Sequence, residues 1–283
     1  MSTPRFVSLF LSALFLVSNM FELGLQSSSQ LSRRARWALI ARALAFDLLA
    51  VPAIVIAVTR LLGTPSELTI ALVLLAVSPG GALQPRLSRV AGAEVMLSAQ
   101  LDLTLARISM FSAPLLAGWL LVSEQPRFQE LPLIGELILL QMVPLTCGKI
   151  IRRRTAMATR LQQPVHLVAT ASLVALLAIV IAQRGLRTLW LIGSRGWLAT
   201  ILIAAASIVI GWLIAGVDRR ARITIAISAN SRQLALALVL ASVGFPERDV
   251  RLLVFGSWVL LEMFNLAFAV LFARPRLRMK EAP

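Results

Sequence analysis

Long apolar runs separated by short basic gaps constrain this chain more than any other feature. A helix that crosses a bilayer needs ~20 mostly apolar residues. About nine such blocks follow one another, at residues 5–24, 38–61, 67–91, 93–122, 132–150, 164–183, 197–216, 221–242 and 250–273. In lipid every backbone N–H and C=O must be satisfied within protein, which leaves helices or closed barrels. The blocks lack the alternation of barrel strands, so they are predicted to be helices. Hydrophobic residues make up 58% of the 283 residues and charged residues 14%, more apolar than a soluble domain of this size requires. The gaps are too short for a soluble domain. Residues 1–283 are therefore read as one all-α, multi-pass unit of the cell membrane, with the bilayer as its first partner.

The net charge of +15 does not point to nucleic acid, because the basic residues sit in the gaps and not on one polar face. With the N-terminus outside, the cytoplasmic gaps hold Arg33, Arg34, Arg36, Arg86, Arg89, Lys149, Arg152, Arg153, Arg154, Arg160, Arg219, Arg220, Arg222, Arg274, Arg276, Arg278 and Lys280. The other side holds fewer: Arg5, Arg60, Arg127, Arg184, Arg187, Arg195, Arg248 and Arg251. The positive-inside rule then places the N-terminus outside and the C-terminus in the cytoplasm, and an odd number of spans agrees. The first block contains Glu22 and no small-residue cleavage pattern, so it reads as a retained span and not a signal peptide. The single cysteine, Cys147, excludes an internal disulfide and a cysteine-based metal cluster.

Two blocks are interrupted. The third breaks at Ser78-Pro79-Gly80-Gly81, with Pro85 beyond; proline removes a helical hydrogen bond and glycine admits non-helical torsions. The eighth is apolar on both flanks but carries Ser228-Ala-Asn-Ser-Arg-Gln233 at its centre. Such a polar run is costly at mid-membrane unless it lines a cavity or meets a partner. Broken segments at matching places in two halves are the best sequence pointer to a transporter with inverted repeats, whose half-helix ends face a midplane site.

Charged residues also fall deep in the blocks. Asp47 lies about nine residues into the second helix, ~14 Å along it, and Asp102 is as deep in the fourth. Ser98 is four residues before Asp102, on the same face. Glu262 is mid-way along the ninth helix, with Asn265 three residues on, and Arg107 and Arg232 are also deep. Facing lipid these charges would be prohibitive, so all five are expected to point into the bundle, as functional groups or as structural ion pairs. Arg42 is near enough to a helix end to snorkel. The only histidine, His166, is expected to open the sixth helix at the interface. Trp190 and Trp197 read as an aromatic belt.

With these features in view, the sequence resembles the bile acid:sodium symporter family. Ser78-Pro79-Gly80-Gly81 after an apolar half-helix is similar to that family's Cys-Pro-Gly-Gly break. Met96-Leu-Ser-Ala-Gln-Leu-Asp-Leu-Thr104 followed by Ser112-Ala-Pro114 resembles its next helix. Gln141-Met-Val-Pro144-Leu-Thr-Cys-Gly148 resembles the first helix of its second repeat, and Leu234–Ala241 its second crossing segment. The resemblance implies two inverted five-helix repeats, the first lacking its first helix. It implies panel helices at 5–24, 132–150 and 164–183, and a core at 38–61, 67–91, 93–122, 197–216, 221–242 and 250–273 in which the two broken helices cross. It also implies sodium-driven uptake of an organic anion.

Carried onto this sequence, the family's sodium ligands fall on Asp47, Ser98 and Asp102, with its asparagine and serine of the first break on Pro85 and Gln84. The glutamate that bridges both ions in the family falls on Ala226, and no acid occurs between Asp218 and Glu247. The resemblance therefore implies a retained site with altered coupling, to sodium held by Asp47, Ser98 and Asp102, to a proton, or to no ion. The substrate-binding set is read as Pro79, Gly80, Gly81, Gln84, Asn230, Ser231, Arg232, Gln233 and Asn265, with Arg232 meeting the anionic group. Apart from sodium, no cofactor is expected.

Other function classes are disfavoured. A single Cys and a single His leave little for a metal site or a catalytic dyad, and no G-x-x-x-x-G-K-[ST] motif supports an ATP-driven pump. A channel or a non-transporting receptor of the same fold stays as the alternative, and an intramembrane enzyme as the more distant one. The sequence carries no signal of substrate identity or oligomeric state.

Overall fold

The computed structural model describes residues 3–26, 34–81, 83–122, 135–153, 155–184, 192–245 and 250–273. The expected belt residue Trp190 lies outside them, as do Arg33, Arg127, Arg154, Arg187, Arg248 and the basic residues beyond Ala273. Among the described residues every regular element is helical. In chain order these are α1 Thr3–Gln26, α2 Arg34–Ala45, α3 Val51–Leu62, α4 Ser66–Ala76, α5 Gln84–Val90, α6 Val95–Leu120, α7 Val143–Arg152, α8 Thr155–Arg184, α9 Gly193–Ile214, α10 Arg219–Asn230, α11 Leu234–Gly244 and α12 Val250–Phe272.

Four described helices are long and apolar enough to cross a membrane: Trp37–Leu62, Val95–Leu120, Gly193–Ile214 and Val250–Phe272. The two interrupted blocks appear as pairs of half-helices, α4 with α5 and α10 with α11. Each half is too short to span alone: eleven residues at 1.5 Å rise cover only ~16 Å. The sixth helix starts earlier than expected. α8 begins at Thr155 and carries Pro164 inside it, so His166 lies in its body and does not open it. The ring of Pro164 is accommodated within the helix.

The span from Trp37 to Leu62 is one rod made of α2, a π-helical turn at Phe46–Ala50, and α3. Pro52 has no N–H to donate to the preceding turn, and the wider π turn absorbs that missing bond. The same device recurs before α7, where a π-helical turn at Ile138–Met142 precedes Pro144. Each turn carries a buried polar side chain, Asp47 in the first and Gln141 in the second.

Packing follows residue size. α1 lies against α7 and α8. Gly24 and Gly148 face each other so closely that a Cβ on either would meet the other helix's backbone, the close approach that small residues allow between membrane helices. Gly211 does the same for α9 on α10, against Ile225, Ala226 and Ala229. A contiguous core of Leu, Val, Ile and Ala runs between α1, α3, α4, α11 and α12. Large apolar side chains such as Leu49, Leu61, Trp119, Leu213 and Leu271 point outward, as a surface facing lipid requires.

Candidate functional site

The two breaks meet. Pro79 and Arg232 form an isolated antiparallel bridge, and the Gln233 N–H donates to Ser78 O at 2.8 Å. Chain breaks inside a membrane protein expose backbone groups that need partners, and several find them here. The Gly81 N–H donates to Asp102 Oδ1 at 2.8 Å. The Arg232 carbonyl accepts from Trp258 Nε1 at 2.9 Å. Both glycines are required by space. Gly80 has φ +92°, and a Cβ there would stand 2.8 Å from Asp102 Oδ1; at Gly81 it would stand 3.1 Å from the Arg232 carbonyl oxygen.

Charges are distributed to suit the half-helix ends. Asp102 sits by Gly81, just ahead of the N-terminus of α5, the positive end of that helix dipole. Arg232 follows the C-terminus of α10, the negative end, and its Nη2 donates to the Ala229 carbonyl. Its Nη1 lies 3.7 Å from Asp47 Oδ1, with both side chains almost wholly buried, 3% and 1% exposed. Ser228 Oγ donates to Asp47 Oδ2 at 3.5 Å. Glu262 also lies within electrostatic reach of Arg232.

Buried amides complete the centre. Asn265 Nδ2 donates to Ser231 Oγ at 3.2 Å and approaches Glu262 Oε2 at 3.4 Å. Asn230 Nδ2 donates to Leu261 O at 2.9 Å. Gln84 Nε2 donates to Ser98 O at 3.2 Å, and Ser88 Oγ to Ser98 Oγ at 2.9 Å. Gln233 keeps both amide atoms without a protein partner, and so do Gln84 Oε1, Asn265 Oδ1 and Ser78 Oγ. The site is therefore rich in unused buried oxygens.

Two cavities adjoin it. One of about 170 Å³ is lined by Gly81, Arg232, Gln233, Trp258 and Glu262 on one side and by Phe15, Ala169 and Leu173 on the other. A larger one of about 720 Å³ is lined by Asp102, Arg89, Arg152, Thr159, Gln162 and His166 among others. Asn19, Glu22 and Arg86 line both. At that junction Arg86 Nη2 lies 2.7 Å from His166 Nδ1, which lies 3.1 Å from Glu22 Oε1, and Arg86 Nη2 is 3.8 Å from the same carboxylate oxygen. The cluster joins α5 to α1 and α8.

Of the expected binding set, Gly81, Arg232 and Gln233 line the small cavity. Pro79, Gly80, Gln84, Asn230, Ser231 and Asn265 are buried in the crossover behind it. Asp47, Ser98 and Asp102 are buried as expected, but they engage different segments: Asp47 faces Arg232 and Ser228, Asp102 holds Gly81, and Ser98 takes a bond from Ser88. Among the described residues no cluster of three or more His, Cys, Asp or Glu side chains could hold a metal. Arg107 departs from expectation, being only partly buried. The buried stripe of α6 runs through Ser98, Leu101, Asp102, Leu105, Ala106 and Ser109, and Arg107 falls off that stripe. The Ala226 backbone packs against Gly211 of α9.

Glu22, Asn19, Arg86, His166 and Trp258 were not among the expected site residues. Asn19 and Glu22, three apart in an apolar block, were a signal available in the sequence. The partners of Glu22 lie 64 and 144 residues along the chain, beyond any local pattern.

The sequence profile of the SBF-like CPA transporter family matches residues 5–275, nearly the whole chain. The chain belongs to that family. It is a membrane protein of the bile acid symporter type of transporter, which agrees with the resemblance read from the two breaks and the helices around them. No curated protein matches the chain.

Proposed function

We propose that the chain is a secondary transporter that carries a small organic anion across the cell membrane by alternating access. In this reading nine spans form two inverted repeats, the first lacking its first helix. α1, α7 with its preceding turn, and α8 form a panel, and the remaining helices form a core. The observation that carries the reading is the crossover: two interrupted spans that satisfy one another's backbone, hold buried charges and adjoin a cavity. Transporters of the inverted-repeat kind bind substrate where broken helices meet near the midplane.

The larger cavity has the size of a small-molecule site, which typically falls at ~300–1,000 Å³. Arg86, Arg89 and Arg152 on its wall come from gaps assigned to the cytoplasm by the positive-inside rule. The cavity thus faces inward, and its positive wall favours an anion. Arg232 has Asp47 beside it, so the charge that meets the substrate comes from Arg89 and Arg152. Glu22 and His166 already engage Arg86.

Coupling differs from two-sodium symport, because Ala226 stands where the bridging glutamate of the resembled family falls. Sodium, a proton or no ion remain as drivers. The test is a thermal-shift screen of purified protein against organic anions, followed by counterflow in liposomes with any stabilising anion. A ligand that binds only the folded state raises its stability. Exchange stimulated by substrate on the far side is the expected result; flux without such stimulation would mark a channel. Arg89→Ala with Arg152→Ala should weaken the anion by roughly ten- to a hundredfold, the loss of charge-assisted hydrogen bonds at ~1.5–3 kcal/mol.

A further inference from the structure

We propose that the Arg232 guanidinium is a tethered cation that occupies the oxygen cage at the crossover, in place of a free coupling ion. A sodium ion at a broken helix takes carboxylates and the free carbonyls of the half-helix C-terminus. Here those groups are already engaged. Ala229 O, at the end of α10, accepts from Arg232 Nη2. Asp47 Oδ1 faces Arg232 Nη1 at 3.7 Å, and Glu262 acts on the same guanidinium.

The cation is fixed in the chain at the break itself. The Pro79 bridge and the Trp258 bond to its carbonyl hold its backbone, while Gly81 leaves room for that backbone to approach. Guanidinium is planar, always charged, and weakly hydrated beside an ammonium, so it tolerates such burial better than lysine. Removing one partner of a buried pair leaves the other charge without compensation.

The inference draws on the transporter reading for its consequence, sodium-independent transport, but its test does not require transport. Thermal unfolding of the purified full-length protein is measured in sodium chloride and in choline chloride at equal ionic strength. The wild type is expected to melt at the same temperature in both. Arg232→Gln is expected to melt lower in choline and to gain a sodium-dependent rise, because Asp47 and Ala229 O then face an open cage. Asp47→Asn combined with Arg232→Gln is expected to recover stability in choline relative to the single variant and to ignore sodium.

A sodium-dependent rise in the wild type would overturn the proposal. So would an Arg232→Gln protein that does not respond to sodium, or one as stable in choline as the double variant. Should Arg232→Gln not yield folded protein, recovery by adding Asp47→Asn supports the pair, and no recovery overturns it. Absence of counterflow alongside the expected melting behaviour would remove the transporter reading and leave the tethered cation standing.

Discussion

Asp102 shows how much one side chain can depend on an interruption elsewhere. Its carboxylate is the partner of the Gly81 N–H, a backbone donor that no helix satisfies. Asp102→Asn keeps an acceptor of the same shape, so the variant should stay close to wild type in thermal stability. Asp102→Leu leaves a buried donor unpaired, which costs about 1–3 kcal/mol, and its melting temperature should fall clearly below that of Asp102→Asn. Equal melting temperatures for the two would show that Gly81 does not need this acceptor. Asp102 was legible as a buried polar residue on the face of Ser98. That it serves a glycine backbone was not, because such bonds leave no trace in residue type.

At the scale of elements, the breaks were the most legible part of the chain. Pro79-Gly80-Gly81 and the polar run around Arg232 stand out against apolar flanks, and both become chain crossings. The start of α8 differs from the expected block at 164–183, because the helix runs back through Pro164 to Thr155, over a polar stretch that apolar content alone does not mark. The π turns were also hidden: Pro52 and Pro144 hint at disturbance, yet proline alone does not say whether a helix kinks, ends or widens. The pairing of α1 with α7 rests on Gly24 and Gly148, two unremarkable letters in the sequence. Gly148→Val places a side chain against the backbone of Phe21. Overpacking of this kind costs typically ~1–3 kcal/mol, so the variant should melt earlier than Cys147→Ser, a neighbouring control at an exposed site.

For the molecule as a whole, the cluster of Glu22, His166 and Arg86 lies where the two cavities share lining: Glu22 and Arg86 line both, and His166 the larger one. Its members come from three helices far apart in sequence, and only the folded chain reveals it. Arg86 and His166 are partly exposed, at 45% and 38%, so the cluster is weak in energy but well placed to govern passage between the cavities. In a Cys147→Ser background, a cysteine placed at Thr170 on the small cavity should react faster with a polar thiol reagent when Glu22→Gln loosens the cluster. Unchanged labelling would exclude this cluster as a barrier. The mutual contact of Gly24 and Gly148 bears on the same passage. With no side chain between them, α1 and α7 pack backbone to backbone, a close contact that favours their moving together as one slab. Any displacement that opens the small chamber must therefore be taken up at the other faces of that slab, where Phe15, Asn19 and Glu22 look toward the crossing.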